Sequence, residues 1–143
     1  MSPQNSQPKI VLIRPCPGIG SGQLDFLNLT DDGSEHLAYS HVFPRGDPWF
    51  EALIPLMKEV FGAEENHVVL DFDRVFSLDS TSLMDLVNLA KRFDSLGGKL
   101  VLVNLRPRVR SVIDVTQLDR FFTMFLTREE GLAHLRSLGQ SDD

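Results

Sequence analysis

The chain has 143 residues and a formal net charge of −6. This length fits one domain, and 42% hydrophobic with 24% charged residues is the balance of an ordinary globular protein. A net negative surface repels phosphate backbones and anionic lipid. The composition therefore argues against nucleic acid and membrane surfaces as direct partners.

The cysteine content and the chain ends bear on the compartment. Cys16 is the single cysteine, so the chain has no intramolecular disulfide and no CxxC zinc or redox pair. Residues 1–8 lack the apolar core of a signal peptide, and no apolar stretch of about 18 residues predicts a membrane-spanning helix. We expect a cytoplasmic protein, with a disordered tail at 1–9, one domain at 10–139 and a C-terminal tail at 140–143.

The first half of the chain predicts three strands and one helix. Apolar and β-branched runs place the strands at Ile10–Ile13, Leu24–Leu29 and Leu37–Phe43. A loop rich in Pro and Gly, residues 15–22, separates the first two strands. Asp47 and Pro48 suit the N-cap and first position of a helix whose apolar residues recur at helical spacing to Phe61, and Gly62 ends it.

The second half alternates strand and helix. The predicted strands are Val68–Phe72, Lys99–Asn104 and Phe121–Leu126; the helices are predicted up to Leu96, after Pro107 and after Thr127. A capping box at Thr127 and Glu130 opens the last helix, which we expect to bury Leu132, Leu135 and Leu138. The pattern predicts an α/β fold with a mixed, largely parallel central β-sheet of about five strands and about four α-helices.

One segment combines a buried strand, a short linker and a polar helix start. After the strand come Val75 and Phe76, which we expect to anchor the linker, and then Asp79-Ser80-Thr81-Ser82. The first N–H groups of a helix lack internal partners, and its dipole favours negative charge. A phosphorylated hydroxyl here would add roughly −1.5 to −2 charges beside the Asp79 carboxylate. The added charge would alter the electrostatic interaction with a partner docked over this helix.

These residues resemble the STAS domain family, which includes the anti-sigma factor antagonists. The resemblance is carried by Asp71 at the end of a strand, Asp79-Ser80-Thr81-Ser82-Leu83 at a helix start, Gly97-Gly98 at the helix end and a next strand ending at Asn104. It extends over residues 37–138. It implies the STAS fold, no enzymatic activity or cofactor, and a protein partner that is both an anti-sigma factor and a serine/threonine kinase.

The resemblance also implies site residues. The phosphorylated hydroxyl corresponds to Thr81, with Ser80 and Ser82 as neighbouring candidates. The partner-binding residues correspond to Asp79, Ser80, Thr81, Ser82, Leu83 and Asp85. Ser82 stands where the family has a glycine, which leaves the acceptor and the mode of kinase docking open. A homodimer is a further candidate assembly. The alternative roles are a stressosome scaffold or an accessory subunit of a lipid-transport ATPase or anion transporter.

Plainer interpretations of the same residues stay open. Hydroxyls at a helix start are commonly caps. A Mg²⁺ site is another interpretation, with Asp71, Asp73, Asp79 and Asp85 as the candidate ligands. The basic residues around Pro107 form either a solvated helix face or a contact for an acidic partner; they are Arg106, Arg108 and Arg110.

Overall fold

A computed structural model describes residues 9–16, 21–29, 34–44, 49–62 and 66–139. These residues form six strands and four helices around one sheet. The strands are β1 (Lys9–Cys16), β2 (Ser21–Leu29), β3 (Glu35–Pro44), β4 (Asn66–Asp71), β5 (Leu100–Val103) and β6 (Thr123–Phe125). The helices are α1 (Trp49–Phe61), α2 (Ser80–Ser95), α3 (Pro107–Val115) and α4 (Arg128–Gly139). The predicted α/β class is confirmed, with six strands in place of about five.

The sheet is mixed, with the order β3-β2-β1-β4-β5-β6. β1, β4, β5 and β6 run parallel to their neighbours in this series, whereas β2 is antiparallel to both β1 and β3. Parallel neighbours need a crossover between them. α2 lies between β4 and β5 in the chain, and the segment with α3 lies between β5 and β6. The parallel half therefore alternates strand and helix, as predicted.

Helices cover the sheet from two sides. On one face α1, α2 and α3 pack over the strands, and their buried side chains include Leu53, Met57, Leu86, Phe93 and Ile113. On the other face α4 packs with Leu132 and Leu135 against Leu12, Val69 and Val101. All four residues of β5 are buried, which explains its uninterrupted LVLV sequence. Burying each such side chain contributes about 1.5–3 kcal/mol to folding.

The helix ends follow the sequence signals closely. Gly97 has a φ of +85°, a left-handed conformation that glycine adopts without a Cβ clash, and α2 ends just before it. In the predicted capping box, the Thr127 hydroxyl accepts the Glu130 N–H at 3.2 Å, and the Glu130 carboxylate accepts the Thr127 N–H at 3.4 Å. Gly131 lets α4 approach β5, because a Cβ there would lie 2.8 Å from a Val103 methyl carbon.

Three local expectations are corrected. Leu138 is 36% exposed, because it lies in the last turn of α4 beyond the part that faces the sheet. The last strand is shorter than predicted: a 3₁₀ turn takes Asp119–Phe121, and only Thr123–Phe125 pairs with β5. Pro15 and Cys16 continue β1 instead of opening a loop.

Several predicted features fall outside the described residues. They are the helix start at Asp47 and Pro48, residues 17–20 of the Pro/Gly-rich loop, and the tails apart from Lys9, which begins β1. Among the residues that are described, no helix is long and apolar enough to cross a bilayer.

Candidate functional site

The linker between β4 and α2 is held at two points. Phe72 is fully buried, Val75 is 1% exposed, and the Val75 N–H donates to the Phe72 carbonyl at 2.9 Å. Val75 is thus the anchor that the sequence predicts. The expectation for Phe76 is wrong, since it is 61% exposed. Its ring lies under the Arg106 guanidinium, 4.1 Å from the ring centroid, and this cation–π contact holds the ring at the surface.

A carboxylate caps the start of α2. Asp79 has the extended backbone of an N-cap residue, and its Oδ1 accepts the Ser82 N–H at 2.7 Å. This hydrogen bond, with a further one from the Ser82 hydroxyl, holds the pKa of Asp79 below its ordinary value. The capping role considered for the hydroxyls of Ser80, Thr81 and Ser82 is filled by the Asp79 carboxylate.

The three hydroxyl residues differ in their surroundings. Ser80 and Thr81 are exposed, and neither hydroxyl has a hydrogen-bond partner among the described residues. Ser82 is half-buried and its hydroxyl is turned toward Asp79. Thr81, on the first turn of α2, thus presents a free hydroxyl at a helix start.

Two predicted partner-binding residues lie further along α2. Leu83 is 1% exposed and belongs to the core, because it lies on the stripe of α2 that faces the sheet. It is corrected to a structural residue. Asp85 is half-buried and lines a groove of about 220 Å³ between α1 and α2, together with Glu51, Ile54 and Arg92. This volume is smaller than the roughly 300–1,000 Å³ of typical ligand sites.

Asp71 is a buried charge, and two of its three partners come from distant parts of the chain. It is 4% exposed; one carboxylate oxygen accepts the Asn104 side-chain N–H at 3.1 Å and the Asp73 backbone N–H at 3.0 Å. The other oxygen lies 3.6 Å from the Arg14 guanidinium. Asn104 adopts a φ of +58°. The hydrogen bonds and the nearby guanidinium thus offset the cost of burying the Asp71 carboxylate.

The ion pairs continue from Arg14 across the sheet. Arg14 contacts Glu35 at 3.2 Å, and Glu35 also pairs with Arg128 at the start of α4. These contacts tie the start of β3 to β1 and α4. Sequence reasoning missed this network, although one signal was present: Arg14 directly follows a buried apolar run, where a charge needs a partner.

The basic residues around Pro107 have separate roles. Arg106 donates from Nε to the Asp73 carbonyl at 2.8 Å, so it fixes the linker as well as covering Phe76. Arg110 pairs with Asp114 one helical turn away at 3.2 Å. Only Arg108 matches the interpretation as a solvated residue with no ion pair among the described residues.

The four aspartates considered for Mg²⁺ do not form one site. Asp71 faces Arg14 and Asn104, whereas Asp79 faces the backbone of α2. Among the described residues, no group of three or more His, Cys, Asp or Glu side chains is placed to hold a metal ion. Oxygen ligands for Mg²⁺ must converge at about 2.0–2.1 Å, so this arrangement does not support the metal interpretation.

Comparison with known proteins decides the family. The family model for the STAS domain matches residues 35–131, which is more than half of the chain. The chain belongs to the STAS domain family. This STAS match begins at the first residue of β3, so β1 and β2 lie before it.

Relatives at the level of sequence carry provisional names as anti-sigma factor antagonists. One from Thermotoga neapolitana is 37% identical over 71 residues, covering 50% of this chain and 63% of the relative. One from Bordetella bronchiseptica, BtrV, is 32% identical over 73 residues, covering 51% and 63%. The chain therefore spans less than two thirds of the length of these curated relatives.

Solved structures show the same fold. The crystal structure of a Thermotoga maritima protein, provisionally named an anti-sigma factor antagonist, matches with a TM-score of 0.55 and 23% identity, over 77% of this chain and 92% of that one. A chain from the stressosome, described as a signal integration and transduction hub, matches with a TM-score of 0.54 and 22% identity, over 66% and 84%. At these identities the likeness concerns the fold alone.

Proposed function

We propose that this STAS protein is a regulatory binding module of a partner-switching pathway, similar to an anti-sigma factor antagonist, and that phosphorylation of Thr81 switches it. The observation that carries the proposal is the exposed, unbonded Thr81 hydroxyl at the start of α2. The named relatives support the role of antagonist. The partner is an anti-sigma factor that is also a serine/threonine kinase, and the setting is the cytoplasm.

A phosphate on Thr81 would change the helix start in two ways. It would add roughly −1.5 to −2 charges within one turn of the Asp79 carboxylate, which is ionised at neutral pH. It would also compete with Asp79 for N–H groups of the first turn, such as the Ser82 N–H that Asp79 accepts. Both effects alter the charge and the side-chain positions that a docked partner meets. The unmodified form binds the kinase, and the phosphorylated form releases it.

Apolar side chains beside the hydroxyls would supply the affinity. Phe76 is 61% exposed on the linker before α2, and Met84 is 49% exposed one turn after Ser80. Aromatic residues and methionine are enriched in the buried centres of protein interfaces. The contact surface we propose joins these two side chains to Asp79, Ser80, Thr81 and Asp85, without the buried Leu83.

The acceptor can be assigned by incubating the protein with ATP and the partner serine/threonine kinase of this proposal. We expect intact-mass analysis to show one phosphate on the wild type, and no phosphate on Thr81→Ala. Ser111→Ala, which removes an exposed hydroxyl from α3, should be phosphorylated like the wild type. Phosphate that persists in Thr81→Ala and maps to Ser80 or Ser82 would move the acceptor along the same turn. Phosphate outside residues 80–82, or none on the wild type, would contradict the proposal.

A further inference from the structure

The two edges of the sheet are very different in length. β6 is an edge strand of three residues, whereas β3, at the opposite edge, has ten. β3 pairs with β2 along one side, and no described strand lies along its other side. An edge strand presents a row of unpaired N–H and C=O groups, which is a template for pairing with another strand.

Between its two end residues, Glu35 and Pro44, β3 lacks the residues that usually protect an edge. Natural edges carry charged side chains or proline, or they are very short. From His36 to Phe43, β3 contains no Asp, Glu, Lys, Arg or Pro. Three of its large apolar side chains are exposed: Leu37 by 62%, Tyr39 by 42% and Val42 by 63%. A one-residue shift in its pairing with β2, between Phe26 and Leu27, is the one protective irregularity.

Both faces of the sheet carry exposed apolar side chains at this edge. Tyr39 lies opposite Phe26 of β2 and shares the face covered by α1. It borders an open hollow of about 330 Å³ that is also lined by Glu59 and Val60 of α1. Leu37 and Val42 lie on the other face, as their register with Leu27 and Gln23 shows. A strand added beside β3 could therefore bury apolar side chains above and below the new backbone pairing.

We propose that β3 of one chain pairs antiparallel with β3 of a second copy, around a two-fold axis, to form one continuous sheet. A two-fold interface uses the same patch on both subunits, so the strand must complement itself. β3 meets that requirement: its central residues are uncharged, and each copy supplies both an exposed Tyr39 and a hollow beside it.

Charge favours a second copy at this strand over other parts of the surface. The chain carries a net charge of −6, so most faces of two copies repel each other. The one acidic residue of β3, Glu35, is already paired with Arg14 and Arg128. In an antiparallel pair it lies toward the far end of the other strand, beside Pro44, and not beside a second Glu35. The proposal holds whether or not Thr81 is phosphorylated.

Sedimentation velocity from low micromolar to submillimolar concentration tests the dimer. We expect a monomer–dimer equilibrium for the wild type. Val42→Lys and Leu37→Lys should each raise the dissociation constant at least about tenfold, since a two-fold axis introduces every added charge twice. Both side chains are more than 60% exposed, so the monomer should stay folded by circular dichroism. Val115→Lys, at an 81% exposed apolar residue of α3, is the matched control and should dimerise like the wild type.

Hydrogen exchange locates the interface independently of the variants. Amides of β3 should exchange more slowly at a concentration where the dimer dominates than at one where the monomer does. A wild type that stays monomeric at the highest concentration overturns the proposal. So does a dimer that tolerates both lysine substitutions, or one whose β3 amides exchange equally at both concentrations.

Discussion

The two ends of the sheet differ in how they are covered. β5 lies under helices on both faces and all four of its residues are buried. In β3 only Phe43 is buried, and most of the other side chains are exposed. The covered end offers a partner the outer faces of its helices and the loops and helix starts at its rim, such as the first turn of α2. The uncovered end offers a strand edge.

Because one end of the sheet is covered and the other is not, our two proposals place two different kinds of protein contact in one small domain. At the start of α2, a partner meets a capped helix, a free hydroxyl and two exposed apolar side chains, and a phosphate would change the local charge. At β3, the contact we propose is backbone pairing along an edge that has no Asp, Glu, Lys or Arg between His36 and Phe43. The STAS family match includes both regions, because it runs from Glu35 to Gly131.

The largest expected effect contrasts a buried leucine with an exposed one. Leu102→Ala, in the fully buried β5, should destabilise the protein by about 2–5 kcal/mol, because it leaves a cavity between two covered faces. Leu37→Ala, in β3, should cost less than about 1 kcal/mol. Urea unfolding of both variants measures the difference. Similar losses for the two would show that β3 is packed as tightly as β5.

A smaller loss is expected from the buried carboxylate that joins the two regions. Asp71→Ala removes the acceptor of Asn104 and the partner of Arg14, and should cost about 2 kcal/mol. Asp114→Ala breaks the exposed pair with Arg110 and should cost less than about 0.5 kcal/mol. Equal free energies of unfolding for the two variants would contradict the structural role given to Asp71.

Removing the helix cap should have a moderate effect at the rim of the covered end. Asp79→Ala should cost about 1 kcal/mol, and Asp79→Ser should restore most of it, because serine can accept the same N–H. Asp73→Ala, at an exposed linker residue, is the control. Since the pKa of Asp79 is lowered in the folded state, its contribution is present above the ordinary value of 3.8 and is lost as the pH falls below it. A wild type and Asp79→Ala that lose stability in parallel below that pH would contradict the assignment.

The smallest effect concerns His67, a residue of β4 that lies beside the start of β5. Burial, and then the charge of Lys99, lowers the pKa of His67, and its Nδ1 accepts the Lys99 backbone N–H at 3.1 Å. The unfolded chain therefore binds a proton more readily, and stability should decline as the pH falls below the ordinary value of 6.5. His67→Gln should reduce that decline between about pH 7.5 and about pH 5.5. If His67→Gln loses stability with falling pH as steeply as the wild type, His67 is not the source of the decline.

The sequence predicts best those elements whose signals are local. The stripe of α2, the capping box at Thr127 and the uninterrupted apolar run of β5 all follow from short periodic patterns, and each is observed. The position of Thr81 at a helix start follows in the same way.

What could not be predicted depends on residues that are distant in the chain. The Phe76 ring lies at the surface against Arg106 at the start of α3, and Asp71 is stabilised by Arg14 and Asn104. No local pattern reveals such contacts. The edge position of β3 is also set by strand order, and the sequence of one strand does not specify its neighbours.

The affinity of the kinase for this protein in its two forms tests the central claim most directly. Calorimetry should show binding to the unmodified chain and at least a tenfold weaker affinity, about 1.4 kcal/mol, for the Thr81-phosphorylated chain. Ser95→Glu, which adds a negative charge at the far end of the same helix, should bind within about twofold of the wild type. Equal affinity for the phosphorylated and unmodified chains would contradict a switch at the start of α2.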